Sequence, residues 1–528
     1  MAESSPDISG LGLDGLKALL VQALERVARL EKENAELRDE IARLKGLKGR
    51  PKLKPSGMEK AVEAASAKGS AKRKGRRGAK RSKLTVSETR IVKPDSLPEG
   101  SRFKGYEDFI VQDLVIAPWT VRYRRERWQL PSGETVVAAL PKQAASHFGP
   151  NLKRFVLSQY HQGQVTVPRL NALLADLGLD ISKRQIVRLL SAKQDAFLAE
   201  ATEVLRAGLA SARWISVDDT GARHKAQNGF CTHIGNDRFA FFATTGSKSR
   251  LNFLELLRAG AGEYVINGAA LAYMREHKLP QAAIARFGSA KRRFAGCKAF
   301  MAYLKRIGLA KLKVKPDPVQ IATEGALWGS IAEQGLLDDT VILSDGAGQF
   351  KIAEHALCWV HAERLIHKLG TFCEAHVQAK ERIRRRIWKL YKALKAYRQA
   401  PSPRRAARLA RRFDAIFSTE TGFVTLDRLL ARLRAQKDDL LAVLKHPEIP
   451  LHTNGSENDI RCQVTRRKIS AGTRSDSGRD ARDAFLGLMK TCAKQAVSFW
   501  DYLGDRLGVP DAPPIARLAG LIRAPAAA

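Results

Sequence analysis

The chain has 528 residues, too many for one hydrophobic core, so several folded units joined by linkers are expected. Its 91 Lys and Arg against 54 Asp and Glu leave a formal net charge of +37, which points to a polyanionic partner, nucleic acid before an anionic membrane. No stretch approaches the roughly 18 uncharged apolar residues of a spanning helix, the start MAESSPDISG lacks a signal-peptide layout, and six scattered cysteines are too few for a disulfide framework; a cytoplasmic protein is expected.

From Leu16 to Leu44 one heptad register holds, with Leu20, Val27, Asn34 and Ile41 on one seam and Leu16, Ala23, Leu30, Leu37 and Leu44 on the other. This spacing predicts a coiled coil, and a buried Asn34 facing a partner Asn favours two parallel strands in fixed register. Between Arg43 and Lys83 there are 16 Lys or Arg against Glu59 and Glu63, with Gly, Ala, Ser and Pro between them. Such a segment buries too little apolar surface to fold alone and reads as a mobile arm for phosphate contact.

Residues 102–142 hold alternating runs such as FIVQDLVI and TVRYRRERWQL, with a turn at Pro131-Ser132-Gly133, and read as a small β-rich unit. Helical spacing follows, in three patches broken at Gly163 to Pro168 and at Gly178 to Ser182. A helix-turn-helix would present Lys183, Arg184, Gln185 and Arg188 to DNA from its last helix; a plain helical bundle fits the same pattern.

RWISVDDTG, GFCTHIG and RFAFFATTG then read as three antiparallel strands, with Asn236-Asp237 as a turn. Asp218 and Asp219 end the first, and alternation lets only one of them face a given site. TVILSDGAGQF is a second strand of this kind, ending at Asp345, and HALCWVHAERLIHKL is a short strand passing into a helix. An Arg-rich helical section leads to LHTNGSENDI, where Glu457 lies in what reads as a helix start.

The ordered set VDDTG, LSDGAGQF, CWVHAER and NGSENDIRCQVTRRKISAGTRSDSG resembles the transposases of bacterial insertion sequences of the IS-sixty-six type. The resemblance runs from Leu16 to Leu507, including the YLGDRL ending. It implies an RNase H-like sheet with two aspartates, a Cys-Trp-x-His segment after the second, and a glutamate before an Arg-Lys pair. On that footing Asp218, Asp345 and Glu457 are the three catalytic acids and metal ligands, and Arg461, Arg467 and Lys468 are the basic positions that hold DNA. Asp219 is the rival of Asp218, and the match favours the first. Trp359 and His361 would support the site.

The chemistry is coherent without the name. Two divalent ions about 4 Å apart can activate an attacking oxygen and stabilise a leaving one, and magnesium or manganese prefers carboxylate and phosphate oxygens. The expected enzyme is a DDE transposase that cuts at transposon ends and joins them to target DNA. A DNA-binding regulator that has lost catalysis on the same scaffold is the alternative. Expected partners are DNA, a second copy through the coiled coil and small accessory proteins of the same element, with a nucleoid association and no membrane. Cys358, His361, Cys373 and His376 form two Cys-x-x-His pairs, a donor set zinc accepts, but the first pair already belongs to the family segment, and zinc is not expected.

Two departures stand out. Relatives often carry a cysteine-rich knuckle after the coiled coil; here the first cysteine is Cys231, so residues 102–142 should be held by packing. Asp218 and Asp345 are also widely spaced, and about 251–335 reads as an inserted basic helical subdomain, with contact to DNA and structural filler as equal alternatives. From Lys380 to Arg412 there are 14 basic residues against Glu381 alone, on helices whose Trp388, Tyr391 and Tyr397 read as packing. The expected fold is α/β: an RNase H-like mixed sheet with helices, interrupted by helical insertions and preceded by an N-terminal coiled coil and a helical DNA-binding region. The division is a coiled coil at 1–45, a basic linker at 46–100, a β-rich unit at 101–145, a helical DNA-binding unit at 146–205, a catalytic unit at 206–510 with insertions near 251–335 and 365–450, and a tail at 511–528.

Overall fold

The computed structural model describes residues 86–141, 146–312 and 314–524. The predicted coiled coil with Asn34 and the whole basic arm from Arg43 to Lys83 lie outside the described residues.

Residues 86–141 contain one short hairpin, β1 (Arg127–Gln129) with β2 (Thr135–Val137), turning at Pro131 to Gly133 as the sequence predicts. FIVQDLVI forms no strand, and Phe103, Phe109, Leu114 and Trp119 are all exposed. The expectation of a β-rich unit held by packing is corrected here, because an alternating run becomes half of a sheet only where a facing layer can bury its apolar side.

Four helices follow: α1 (Pro150–His161), α2 (Val167–Asp176), α3 (Lys183–Ser191) and α4 (Asp195–Ser211). α3 begins at a capping box, in which the Ser182 hydroxyl accepts from the Gln185 N–H and the Gln185 side chain accepts from the Ser182 N–H. Val156, Leu170, Leu174, Ile186 and Leu190 close the first three helices around a common core.

The central sheet has five strands in the order β5-β4-β3-β8-β9. β3 (Trp214–His224), β4 (Gln227–Gly235) and β5 (Ala240–Thr245) are the three expected antiparallel strands. β8 (Val341–Ser344) and β9 (His355–Leu357) run parallel to β3. One face carries Ile215, Val217, Ile234 and Phe239 into the main core with α4. There Gly208 lets the helix approach Phe239 so closely that a Cβ would stand 2.5 Å from the ring. The other face carries Ala222, Cys231, Ala240 and Phe242 beneath two later helices, through Ile460 and Leu486.

Two segments interrupt this frame. Between β5 and β8 come α5 (Arg250–Leu257), β6 (Tyr264–Ile266), α6 (Gly268–Glu276), α7 (Gln281–Ala285), β7 (Arg292–Phe294), α8 (Cys297–Arg306) and α9 (Pro318–Glu333). The segment is not purely helical as expected, since YVI and RRF pair as a two-stranded sheet. It abuts the stretch after Asp345, where Phe253 meets Phe350 at 5.0 Å and Arg250 donates to the Gly348 carbonyl at 2.8 Å.

After β9 come α10 (Trp359–His367), α11 (Glu374–Gln399), α12 (Pro403–Phe417), α13 (Val424–Ala435) and the short α14 (Lys437–Leu440). α15 (Asn454–Ser470) and α16 (Asp476–Lys494) then cover the second face of the sheet, and α17 (Phe499–Arg506) and α18 (Leu518–Arg523) close against α1 and α4. Tyr391 is buried, Trp388 stacks on it at 6.0 Å, and the Tyr397 hydroxyl donates to the Leu444 carbonyl; these aromatics pack. Among the described residues no helix is long and apolar enough to cross a membrane.

Candidate active site

The parallel pairing of β3 with β8 aligns Trp214 with Val341 and Ser216 with Leu343. Carried two residues further, that register sets Asp218 beside Asp345, on strands about 4.8 Å apart. The pairing of β8 with β9 aligns Ser344 with Leu357, so its next step sets Cys358 beside Asp345. Asp345 and Cys358 directly follow β8 and β9, whereas Asp218 lies inside β3, which runs on to His224 along β4; the expectation that Asp218 and Asp219 end their strand is corrected here, because the antiparallel partner carries β3 past the point where β8 stops.

Side-chain alternation decides between the two aspartates of VDDTG. Asp219 turns to the main-core face, accepting from Thr232 Oγ1 at 2.6 Å and from Gln349 Nε2 at 2.8 Å. Asp218 shares its face with Ser216, whose hydroxyl is hydrogen-bonded by Ser456 at 2.6 Å. Ser456 precedes Glu457 in the first turn of α15, so the face that carries Asp218 also meets the start of the Glu457 helix.

That helix is fixed on several sides. Arg467 donates to the Gly221 carbonyl, a second tie to β3. Asp459, buried in the next turn, lies 2.9 Å from Lys494 Nζ, 3.5 Å from Lys490 Nζ and 3.3 Å from His233 Nε2. Burial alone would raise the Asp459 carboxyl; the His233 contact and Lys494 outweigh it and hold it down at about 2. Arg466 is buried, donates to the Tyr160 carbonyl and lies over the Tyr160 ring at 4.1 Å, joining α15 to α1.

The Cys-Trp-x-His segment ties the loop before α15 to β9. The Trp359 N–H donates to the Leu451 carbonyl at 3.0 Å, and the Thr453 hydroxyl lies 3.5 Å from both Cys358 Sγ and His361 Nδ1. His361 Nε2 then stands 3.8 Å from Glu457 Oε1. Trp359 is fully buried, with its indole N–H on the Leu440 carbonyl and its ring against Phe413 and Phe417. One residue thus seats the helical insertion while its neighbours reach the site.

The electrostatics record the convergence. Burial pushes the Asp218 carboxyl up to about 6, and the charges of Asp345 and Glu457 push the same way against the Asp219 N–H and His361. Burial would lower His361, but Cys358, Glu457 and Asp345 prevail and raise it to about 9. Each acid keeps an oxygen to spare. Asp218 Oδ1 accepts from the Asp219 N–H at 2.8 Å and Asp345 Oδ1 from the Ala347 N–H at 2.9 Å. Their second oxygens accept no hydrogen bond among the described residues, and Glu457 Oε1 is buried without one.

Spare carboxylate oxygens on three mutually repelling acids are the donor set that hard divalent cations take, and on this chemistry the residues fit such ions. Among the described residues, no group of three or more His, Cys, Asp or Glu side chains is drawn together closely enough to hold an ion as placed. The second Cys-x-x-His pair lies at the start of α11, where Cys373 is exposed and His376 stacks on Phe423 at 4.0 Å.

The expected basic residues divide. Arg461 and Lys468 are exposed on α15, and Lys183, Arg184 and Arg188 are exposed on α3. Arg467 is instead committed to Gly221. Sequence reasoning missed Asp459 and Arg466, the residues that clamp α15. Their signal was available, since positions 459, 463 and 466 recur at helical spacing on a side of α15 that carries no apolar side chain.

The family model described as Transposase IS66 family matches residues 145–255 and 329–481, half of the chain. The match omits most of the α5–α9 segment and includes Asp218, Asp345, His361 and Glu457. The chain is also similar to the uncharacterized protein y4jO of Sinorhizobium fredii (strain NBRC 101917 / NGR234), at 51% identity over 324 residues, 61% of this chain and the whole of that relative.

Proposed function

The chain belongs to the IS66 transposase family, and we propose that it is a DDE-type transposase that cuts DNA at the ends of its element and joins them to target DNA, with Asp218, Asp345 and Glu457 as its catalytic acids. The observation that carries this reading is that Asp218 lies within reach of the charges of both Asp345 and Glu457, brought near it from a neighbouring strand and a helix start, while each acid keeps an oxygen without a hydrogen bond among the described residues. The order β5-β4-β3-β8-β9, antiparallel on one side of β3 and parallel on the other, supports an RNase H-like sheet.

Asp218, Asp345 and Glu457 would hold two divalent ions, magnesium or manganese, which supply activation of the attacking oxygen and stabilisation of the leaving one. The chain's own part is positioning. The Asp219 and Ala347 N–H groups orient the two aspartates, and Ser456, Arg467, Asp459 and Arg466 hold the helix of Glu457 against β3. His361 offsets carboxylate charge beside Glu457. Arg461 and Lys468 take phosphates next to the site, and Lys183, Arg184 and Arg188 take them from α3, whose capped N-terminal turn is exposed as a DNA-reading helix requires. No covalent enzyme intermediate is needed.

The test is a nicking and strand-transfer assay on duplexes carrying the element's ends, with magnesium or chelator. Wild type should cut only with the cation, and Asp218→Asn, Asp345→Asn and Glu457→Gln should each lose at least about 10²-fold, the scale of losing one transition-state contact. Cutting that survives chelator and all three substitutions would refute the reading. Binding without cutting in either metal would leave a regulator on this scaffold.

A further inference from the structure

The helical segment after the Cys-Trp-x-His motif carries cations that the site does not use. α11 exposes Arg382, Arg385, Lys389 and Lys392. At roughly 100° per residue these four fall within an arc of about 80°, and they span about 15 Å of helix. The opposite side of α11 buries Ile383, Ile387, Leu390 and Leu394. α12 repeats the design, exposing Arg404, Arg408 and Arg411 on one side and burying Leu409, Phe413 and Ile416 on the other.

The acids of these helices are few: Glu374, at the exposed first turn of α11, accepts only from Gln378, two turns before the cation row begins at Arg382. Glu381 pairs with Arg384 and Asp414 with Lys437, each at 2.7–2.8 Å, and Asp427 accepts from Thr421. Among the described residues Arg382, Lys389, Arg404, Arg408 and Arg411 make no ion pair or hydrogen bond, and Lys392 only lies over the Trp388 ring. Two neighbouring helices therefore present a row of cations that their few acids, Glu374, Glu381 and Asp414, balance only in part. Tyr391 and Tyr397 are buried and Trp388 is half-buried between Tyr391 and Lys392, so the outward rows of α11 and α12 are made of cations rather than of stacking aromatics.

We propose that the outward faces of α11 and α12 form a docking surface for the phosphate backbone of double-stranded DNA, independent of base sequence. The proposal rests on the transposase reading for its choice of polyanion. A duplex carries one charge per about 1.7 Å of axis, a density that a 15 Å row of cations can engage at several points. The surface is rigidly joined to the candidate site, since Trp359, buried against Phe413 and Phe417 of α12, lies two residues before His361.

The experiment measures binding of the full chain to a random-sequence duplex in chelator across a range of salt. The variant is the triple substitution Arg382→Gln, Lys389→Gln, Lys392→Gln. Its control removes three exposed cations of the other inserted segment, Arg275→Gln, Lys298→Gln, Lys305→Gln. The triple variant should flatten the slope of log affinity against log salt by about 2.7, at roughly 0.9 per phosphate contact, on random and element-end duplexes alike, while the control keeps the wild-type slope. An unchanged slope, or an equal change in the control, overturns the proposal. So does equal loss on single-stranded DNA, or loss only for an acidic protein. Binding in chelator does not require cutting, so failure of the nicking assay would sink the catalytic reading and leave this one standing; an unchanged slope would do the reverse.

Discussion

At the scale of residues, neighbours of the same chemical type take opposite parts because of where the backbone points them. Asp218 and Asp219 differ by one step of a strand, and that step separates a carboxyl raised by burial beside other acids from one satisfied by Thr232 and Gln349. Glu457 and Asp459 differ by two steps of a helix, and that step places Glu457 beside His361 and Asp459 between His233, Lys490 and Lys494. Asp459 is structural. Its folded value of about 2 lies below the ordinary 3.8, so its contribution to stability is complete above pH 4 and is lost as pH falls through about 2. Asp459→Asn should cost about 2 kcal/mol at pH 7 by denaturant unfolding, less than a fully buried broken pair because Lys490 and Lys494 keep some exposure. The mutant deficit should shrink toward pH 2; a deficit that persists there would show that packing, not charge, sets it.

At the scale of elements, the short strand β9 and the helix α10 do more than fill the sheet edge. Trp359 anchors the insertion through Leu440, Phe413 and Phe417, while Cys358 and His361 tie the start of α15. Trp359→Ala should cost about 3–5 kcal/mol, the range for emptying a large buried aromatic site. Limited proteolysis should then cut the α11–α12 connection near 400–403 faster than in wild type. Unaltered cleavage would mean that the insertion holds its place without the tryptophan. The α5–α9 segment shows a different kind of element contact. Gly329 of α9 lies so near β6 that a Cβ would stand 2.3 Å from the Val265 carbonyl, so the two-stranded sheet that hydrophobic periodicity did not reveal is packed as tightly as the main one.

At the scale of the whole molecule, a net charge of +37 is carried unevenly: Asp218, Asp345 and Glu457 gather at the candidate site and other acids stand in ion pairs, while exposed cations are left on α3, α11, α12 and α15. Such a distribution suits a protein that draws DNA to a small acidic site by a larger basic surround. The heptads at Leu16 to Leu44 predict a second-copy contact outside the described residues. Sedimentation should show a dimer or larger oligomer for the full chain and a monomer once residues 1–45 are removed. Equal masses for both would place the assembly contact elsewhere.

The sequence by itself determined the strands at VDDTG and LSDGAGQF and the helix at NGSENDIR, because alternation, turn residues and capping are local and survive without a partner surface. It could not determine what those elements meet. FIVQDLVI has the same alternation as a true strand and forms none, because no layer covers it. YVI and RRF have little alternation to show and pair, because the chain returns to bring them together. The parallel register that sets Asp218 beside Asp345, and the clamp of Asp459, Arg466 and Arg467 that holds the helix of Glu457 against β3, depend on contacts between residues far apart in the sequence, and those exist only once the chain has closed on itself.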